Sequence, residues 1–90
     1  MSLSAQLEII RAHQTELPVQ VVPIAHALGL EVYRVPDWPR NLSGAIIRDP
    51  DNDKAGYSIY VNQQDSRARR RFTIAHEIAH YVLHKDLIGD

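Results

Sequence analysis

The chain has 90 residues and no cysteine, and its ten basic and eleven acidic residues give a formal net charge of −1 and a pI near 6.5. This length allows one small domain, and the near-neutral charge gives no electrostatic footprint for nucleic acid or an anionic membrane. The lack of cysteine excludes disulfides and thiolate metal sites, so a transition metal must be bound by nitrogen and oxygen. No stretch approaches about eighteen consecutive apolar residues, so no transmembrane segment is predicted and a cytoplasmic protein is the default expectation.

Two helices are predicted in the first third of the chain. The first extends from Ser4, a candidate N-cap, to about Gln14. The second extends from about Gln20 to Leu28 and ends with Gly29 in the C′ position. The residues expected to face the core are Leu3, Leu7, Ile9 and Ile10 in the first helix and Val21, Ile24, Ala25 and Leu28 in the second. The second helix has no arginine or lysine to contact phosphate and leads directly into a strand, which disfavours a DNA-binding helix-turn-helix.

Three strands follow, and the second and third are predicted to form an antiparallel hairpin. The strands are expected at Leu30–Val35, Ser43–Arg48 and Tyr57–Asn62. The segment between the last two consists of turn-forming residues throughout. Gly44, inside the second strand, indicates either a bulge or a close approach of another part of the chain. With the long helix that follows, the pattern predicts an α+β fold with a small, mainly antiparallel three-stranded sheet.

The last helix carries the residues around which the chain is organised. Asp65 or Ser66 is expected to cap it, and the segment from Arg70 to His84 is apolar except for one polar stripe. That stripe contains Thr73, His76, Glu77, His80 and His84, whereas Ala75, Ile78, Ala79 and Val82 lie opposite. We therefore expect a buried helix with one polar stripe. Burying a polar side chain of this stripe without a hydrogen-bond partner or a metal ion would be unfavourable in free energy.

The spacing of His76, Glu77 and His80 matches the H-E-x-x-H motif of metalloproteases. Two histidines four residues apart lie on one side of a helix, about 6 Å apart along its axis, so both can bind one Zn²⁺. Glu77 points slightly aside, where its carboxylate can take the proton of the metal-bound water as general base. The pentapeptide also occurs by chance on solvated helices, so a polar helix face with two unrelated histidines is the alternative interpretation.

Three blocks in order resemble the ImmA/IrrE family of metallo-endopeptidases. They are Ser43–Ile47, Tyr57–Asn62 and Arg71–His80 with Leu83–Lys85, and the likeness extends from about Pro18 to the last residue. The resemblance implies a zincin-like fold and a zinc-dependent endopeptidase. It implies as substrate a helix-turn-helix repressor, whose cleavage or release switches on phage, mobile-element or stress genes, and a relationship to toxin–antitoxin-like pairs. It also implies that one strand of the hairpin pairs with the substrate backbone.

The third metal ligand is not evident in the sequence. The resemblance implies an acidic residue on a later helix, whereas the sequence ends at Asp90. His84 lies about 12 Å along the helix from His76, too far for a shared tetrahedral ion. Asp86 or Asp90 could approach only if the helix ends sharply after His84. Otherwise the ligand must come from residues outside this chain, from another subunit or from water.

We therefore predict a single domain over residues 1–90 that represents the N-terminal part of a zinc endopeptidase, with His76 and His80 as zinc ligands and Glu77 as the catalytic base. Thr73 and His84 are candidates for supporting contacts, or are simply polar and partly solvated. The four arginines from 67 to 71 are expected to be solvated, although Arg69 lies on the histidine stripe and could meet an acidic group. The alternative function is a catalytically silent regulatory module that binds a repressor or antitoxin.

Overall fold

The structure is a computed structural model that describes residues 2–13 and 20–88. Its helices are α1 (Leu3–His13), α2 (Val21–Ala27) and α3 (Arg67–His84), followed by a short 3-10 turn (Lys85–Leu87). Its strands are β1 (Glu31–Val35), β2 (Gly44–Arg48) and β3 (Tyr57–Asn62). The predicted α+β class is confirmed, with every predicted element present. No helix within the two described ranges is long and apolar enough to cross a membrane.

The strands form one mixed sheet in the order β1-β3-β2. β2 and β3 pair antiparallel, as predicted for the hairpin, with Ile46 opposite Ile59. β1 pairs with β3 in parallel, with Val32 opposite Ile59. After β1 the chain reverses its direction, and β2 lies two strand positions away from β1. β3 then occupies the position between them and runs in the same direction as β1, so the β1–β3 pair is parallel. β3 is therefore the central strand, and β2 lies at an edge.

One hydrophobic core lies between the sheet and the helices. The side chains that fill it are Ile24, Ala25, Leu28, Leu30, Ile46, Ile59, Val61, Ile74, Ile78, Tyr81 and Ile88. Of the four core residues predicted for the second helix, Ile24, Ala25 and the C-cap residue Leu28 are buried, and Val21 packs against them. Gly29, at φ +84°, ends α2 in the left-handed conformation that glycine adopts without strain and turns the chain into β1.

The predicted core face of α1 is wrong for Leu3 and Leu7, whereas Ile9 packs against the core as expected. Leu3 and Leu7 are 50% and 45% exposed, whereas Gln6 is 2% exposed. The cap is also displaced, because Ser2 Oγ, and not Ser4, accepts a hydrogen bond from a first-turn amide, that of Ala5, at 3.1 Å. The apolar residues of α1 are spread over two neighbouring stripes, so periodicity does not define which stripe faces α2 and α3. The predicted end at Gln14 lies outside the described residues.

Two buried asparagines hold the loops at the ends of the hairpin. Asn62, which is 0% exposed, donates from Nδ2 to the carbonyl oxygens of Pro39 and Leu42, at 3.0 and 2.7 Å. Asn52, in the β2–β3 turn, donates from Nδ2 to the carbonyl oxygens of Gly29, at the end of α2, and Tyr57, at the start of β3, at 2.9 and 2.7 Å. Buried polar groups are almost always hydrogen-bonded, so each of these amides stabilises the loop whose carbonyls it satisfies. The loop before β2 is therefore a defined wall beside α3.

Candidate metal centre

α3 begins with a serine cap, as predicted. Ser66 Oγ accepts a hydrogen bond from the amide of Arg69 at 3.1 Å. The first turn holds no acidic residue, so four arginines between 67 and 71 lie against the positive end of the helix dipole. Arg70 offsets part of this charge by donating to the carbonyl oxygens of Gln63 and Asp65. The start of α3 is therefore strongly positive.

The helix is half buried, so the expectation of a buried helix is wrong. The residues that face the sheet are Thr73, Ile74, Glu77, Ile78 and Tyr81. On the other side Phe72 and Leu83 are 61% and 62% exposed, and Ala75 and Ala79 are exposed with them. The neighbouring elements cover only one side of this helix, so the polar stripe lies across the boundary between core and solvent.

Gly44 allows α3 to lie very close to β2. A Cβ at this position would overlap the γ-methyl of Thr73 and would lie 3.0 Å from the Tyr60 carbonyl oxygen and 3.8 Å from Glu77 Oε2. The β2–β3 register is continuous through Gly44, which faces Val61, so there is no bulge. Of the two predicted explanations for this glycine, close approach is the one found. The Glu77 carboxylate consequently lies beside the first residue of the edge strand.

The three motif residues differ in burial. Glu77 is 8% exposed, His76 is exposed and His80 lies at the rim between core and solvent. Nδ1 of His80 is 3.7 Å from Oε1 of Glu77, beyond hydrogen-bond length. Because the carboxylate approaches Nδ1, Nε2 of His80 is the nitrogen left for a metal ion. Both imidazoles are at least partly accessible to solvent, and their backbone positions are about one helical turn apart on α3.

A third ligand is absent from the described ranges, where no three histidine or acidic side chains come together in a way that suits a metal ion. The ring centroids of His80 and His84 are 6.1 Å apart, but His84 remains about two helical turns from His76. α3 does end at His84, yet Asp86 lines a different cavity, beside the C-terminal end of α2. Asp90 lies outside the described residues. His76 and His80 therefore fit zinc as a pair of nitrogen ligands that needs completion.

A cavity of about 260 Å³ opens beside Glu77. Its walls are formed by Asn41, Leu42, Ser43, Gly44, Arg69, Phe72, Thr73, His76 and Glu77. The sequence placed Arg69 on the histidine stripe, and the structure brings it into the same cavity as His76 and Glu77. Leu42 and Ser43 were not predicted as site residues. Ser43 contacts Arg69, 26 residues further along the chain, and helical periodicity gives no information about such a contact. The only signal was the block that begins at Ser43.

The fold and the site define a class of protein, an α+β domain that places an H-E-x-x-H helix against the edge strand of a small sheet. The sequence model of the IrrE N-terminal-like domain family, Peptidase M78, matches residues 25–90. Because this match covers most of the chain, the chain belongs to that family and is related to metallopeptidases, as the resemblance predicted. No curated protein and no solved structure matches the chain.

Larger cavities lie away from the motif. One of about 360 Å³ lies between α2, β1 and the start of α3 and is lined by Arg34, Arg67, Arg70 and Arg71, among others. Another of about 530 Å³ lies beside the C-terminal end of α2. Neither contains His76, Glu77 or His80, so chemistry, and not size, identifies the candidate site.

Proposed function

We propose that the chain provides the catalytic helix of a zinc-dependent endopeptidase, in which His76 and His80 bind the metal and Glu77 is the general base. One observation carries this proposal: Glu77 is buried against the edge strand, 3.7 Å from His80, in a cavity that also contains His76. A solvated helix with two unrelated histidines gives no reason for the glutamate between them to be buried there. Membership of the family is independent support.

The motif residues have separate roles that follow from their burial. Zinc, when bound, supplies a Lewis acid and lowers the pKa of a coordinated water. His76 and His80 would hold it at the accessible side of α3, where a peptide can reach it. Glu77 would accept the proton of the attacking water and deliver it to the leaving amine. Its burial beside Gly44 limits the rotamers of Glu77 and keeps the carboxylate at the cavity.

β2 is the strand of the hairpin that we propose pairs with the substrate backbone. β3 has a neighbour on both sides, whereas β2 has only β3. The carbonyl of Ser43 accepts a hydrogen bond from the amide of Asn62 at 2.8 Å. Hydrogen-bonded pairs alternate along an antiparallel ladder, so the amides and carbonyls of Gly44 and Ile46 point to the open edge. An extended peptide on that edge would pass directly beside Glu77.

We propose that the substrate is a helix-turn-helix repressor or an antitoxin, and that the reaction takes place in the cytoplasm. Its support is the resemblance of the three sequence blocks to the ImmA/IrrE family. The net charge of −1 adds a physical argument, since it gives no general attraction to nucleic acid and favours action on the regulator protein itself.

Peptidase activity of the zinc-loaded chain on such a repressor tests the proposal. Glu77→Gln keeps the side-chain size and both imidazoles but removes the proton acceptor. Hydrolysis should fall by about 100-fold or more while zinc binding is retained. Glu8→Gln, the same change at an exposed position of α1, should alter neither quantity. Hydrolysis that survives Glu77→Gln would exclude Glu77 as the base.

A second function, a catalytically silent module that binds the repressor or antitoxin, is favoured by one observation. Within residues 2–13 and 20–88 the histidine pair has no third ligand. A silent module would bind the repressor equally well with glutamate or glutamine at position 77, and mass spectrometry would detect no cleavage product in either case. A product formed only with Glu77 would favour the enzyme.

A further inference from the structure

We infer that the cavity beside Glu77 is a substrate subsite for an acidic side chain, and that Arg69 is the residue that selects it. This inference rests on the proposed function and adds a substrate class to it. The preferred peptides carry an aspartate or glutamate at a fixed distance on one side of the cleaved bond. The supporting observations are the position, the orientation and the unpaired charge of Arg69.

Arg69 is exposed, yet two contacts orient its guanidinium. Its Nε donates to Ser43 Oγ at 3.3 Å, and its Cζ lies 5.4 Å from the centroid of the Phe72 ring. Together they hold the guanidinium across the gap between α3 and the loop that precedes β2. A guanidinium held in place loses less entropy when it binds a carboxylate, and its planar fork can form two parallel hydrogen bonds with one.

The charge of Arg69 is not paired within the described ranges. No carboxylate there lies within ion-pair distance of its guanidinium, and the terminal nitrogens make no hydrogen bond to the described residues. Among the cavity walls only Glu77 is acidic, and it lies eight residues along the helix, about 12 Å away along the axis. The Arg69 end of the cavity is therefore positive, and a lysine or arginine side chain would be repelled from it.

The cavity also presents apolar surface. Leu42 is 45% exposed and Phe72 is 61% exposed, and they belong to facing walls. Phe72 lies between Arg69 and Glu77 in the helix, so an apolar side chain is favoured between the acid and the cleaved bond. An extended peptide advances about 3.3 Å per residue. The backbone positions of Arg69 and Glu77 are about 12 Å apart along the helix axis, which corresponds to at most about four residues of an extended peptide. Their side chains reach the adjacent residues Ser43 and Gly44, so the acid is expected within that limit.

The test uses the full chain, zinc and a synthetic decapeptide library with randomised positions. Cleavage sites read by mass spectrometry should show aspartate and glutamate enriched at one position within about four residues of the cleaved bond, on one side only. Arg69→Ala should reduce that enrichment about tenfold, and Arg69→Glu should replace it with lysine and arginine. Arg40→Ala, which removes the same charge from an exposed loop outside the cavity, should preserve it. Circular dichroism checks that each variant is folded.

A second measurement separates failure of this inference from failure of the proposed function. The Glu77→Gln variant is used to retain library peptides without cleavage, and the retained peptides are sequenced. Acidic enrichment that depends on Arg69, with no cleavage by the wild type, would support the subsite and reject the peptidase. Cleavage or retention without acidic enrichment would overturn the subsite, as would an enrichment that persists in Arg69→Ala.

Discussion

Gly44 of β2 and Thr73 of α3 approach so closely that no side chain fits between them, and this contact sets the distance of Glu77 from the edge strand. Gly44→Ala would force a methyl group onto the Thr73 γ-methyl and against the Tyr60 carbonyl oxygen. We expect a loss of about 1–3 kcal/mol in the free energy of unfolding, because the helix and strand must separate. Denaturant titration measures this loss, and a peptidase assay should show reduced activity.

A second substitution tests whether Thr73 causes that loss. Thr73→Ser removes the γ-methyl that a Cβ at position 44 would meet, so it should restore part of the stability when combined with Gly44→Ala. Such a recovery is a coupling between two residues in contact. Strictly additive effects of the two substitutions would show that the strain lies elsewhere, at the Tyr60 carbonyl.

Zinc affinity should distinguish the motif histidines from the others. His76→Ala and His80→Ala each remove one of two nitrogen ligands, and each should weaken binding by more than about tenfold in calorimetric titration. His84→Ala and His26→Ala remove exposed imidazoles outside the motif and should leave the affinity unchanged. If all four variants weaken zinc binding equally, the histidines bind independently and there is no single centre.

Asn62→Asp should damage the loop that faces α3. The substitution replaces an amide donor by an acceptor that faces the carbonyl oxygens of Pro39 and Leu42, in a place with no solvent exposure. We expect a loss of about 3 kcal/mol or more, because a buried charge would face two carbonyl dipoles. Asn52→Asp offers a matched control at the other end of the hairpin. Both should destabilise the fold, but only Asn62→Asp should alter peptide selection at Arg69.

Stability should decrease at alkaline pH because of Tyr81. Burial, and secondarily the nearby Tyr57 hydroxyl, raise the pKa of Tyr81 above its ordinary value of 10.0. The folded chain then keeps a proton that the unfolded chain loses. The free energy of unfolding should therefore decrease as the pH rises above about 10, and this contribution is fully present below that pH. Urea titrations at several pH values give the free energy of unfolding as a function of pH. Above about pH 10 this free energy should decrease less steeply with pH in Tyr81→Phe than in the wild type. An unchanged dependence on pH would argue against a contribution from Tyr81.

Much of the fold was predictable from local patterns. The hairpin followed from two predicted strands separated by turn-forming residues, and the start of α3 from a serine three residues before Arg69. The family was predictable too, because its three blocks occur in order. In each case the determining interactions lie within a short stretch of sequence, where propensity, capping and periodicity act.

The errors came from interactions between distant parts of the chain. Periodicity alone did not show that Gln6 would be buried while Leu3 and Leu7 were exposed, because the orientation of α1 depends on α2 and α3. The parallel pairing of β1 depends on where β3 returns, because Glu31 pairs with Ser58, which is 27 residues further along the chain. The wall opposite Arg69 is formed by a loop that hydrogen bonds from the distant Asn62 side chain help to fix in place.

The position of β3 between the other strands has a consequence for biosynthesis. β1 and β2 leave the ribosome first, and neither has a neighbour within the sheet until Tyr57–Asn62 has emerged. Until then their apolar faces and unpaired edges are open to chaperones and to aggregation. The helix with His76 and His80 is made after all three strands, so the pair that we propose binds zinc emerges when the whole sheet is available for the helix to pack against.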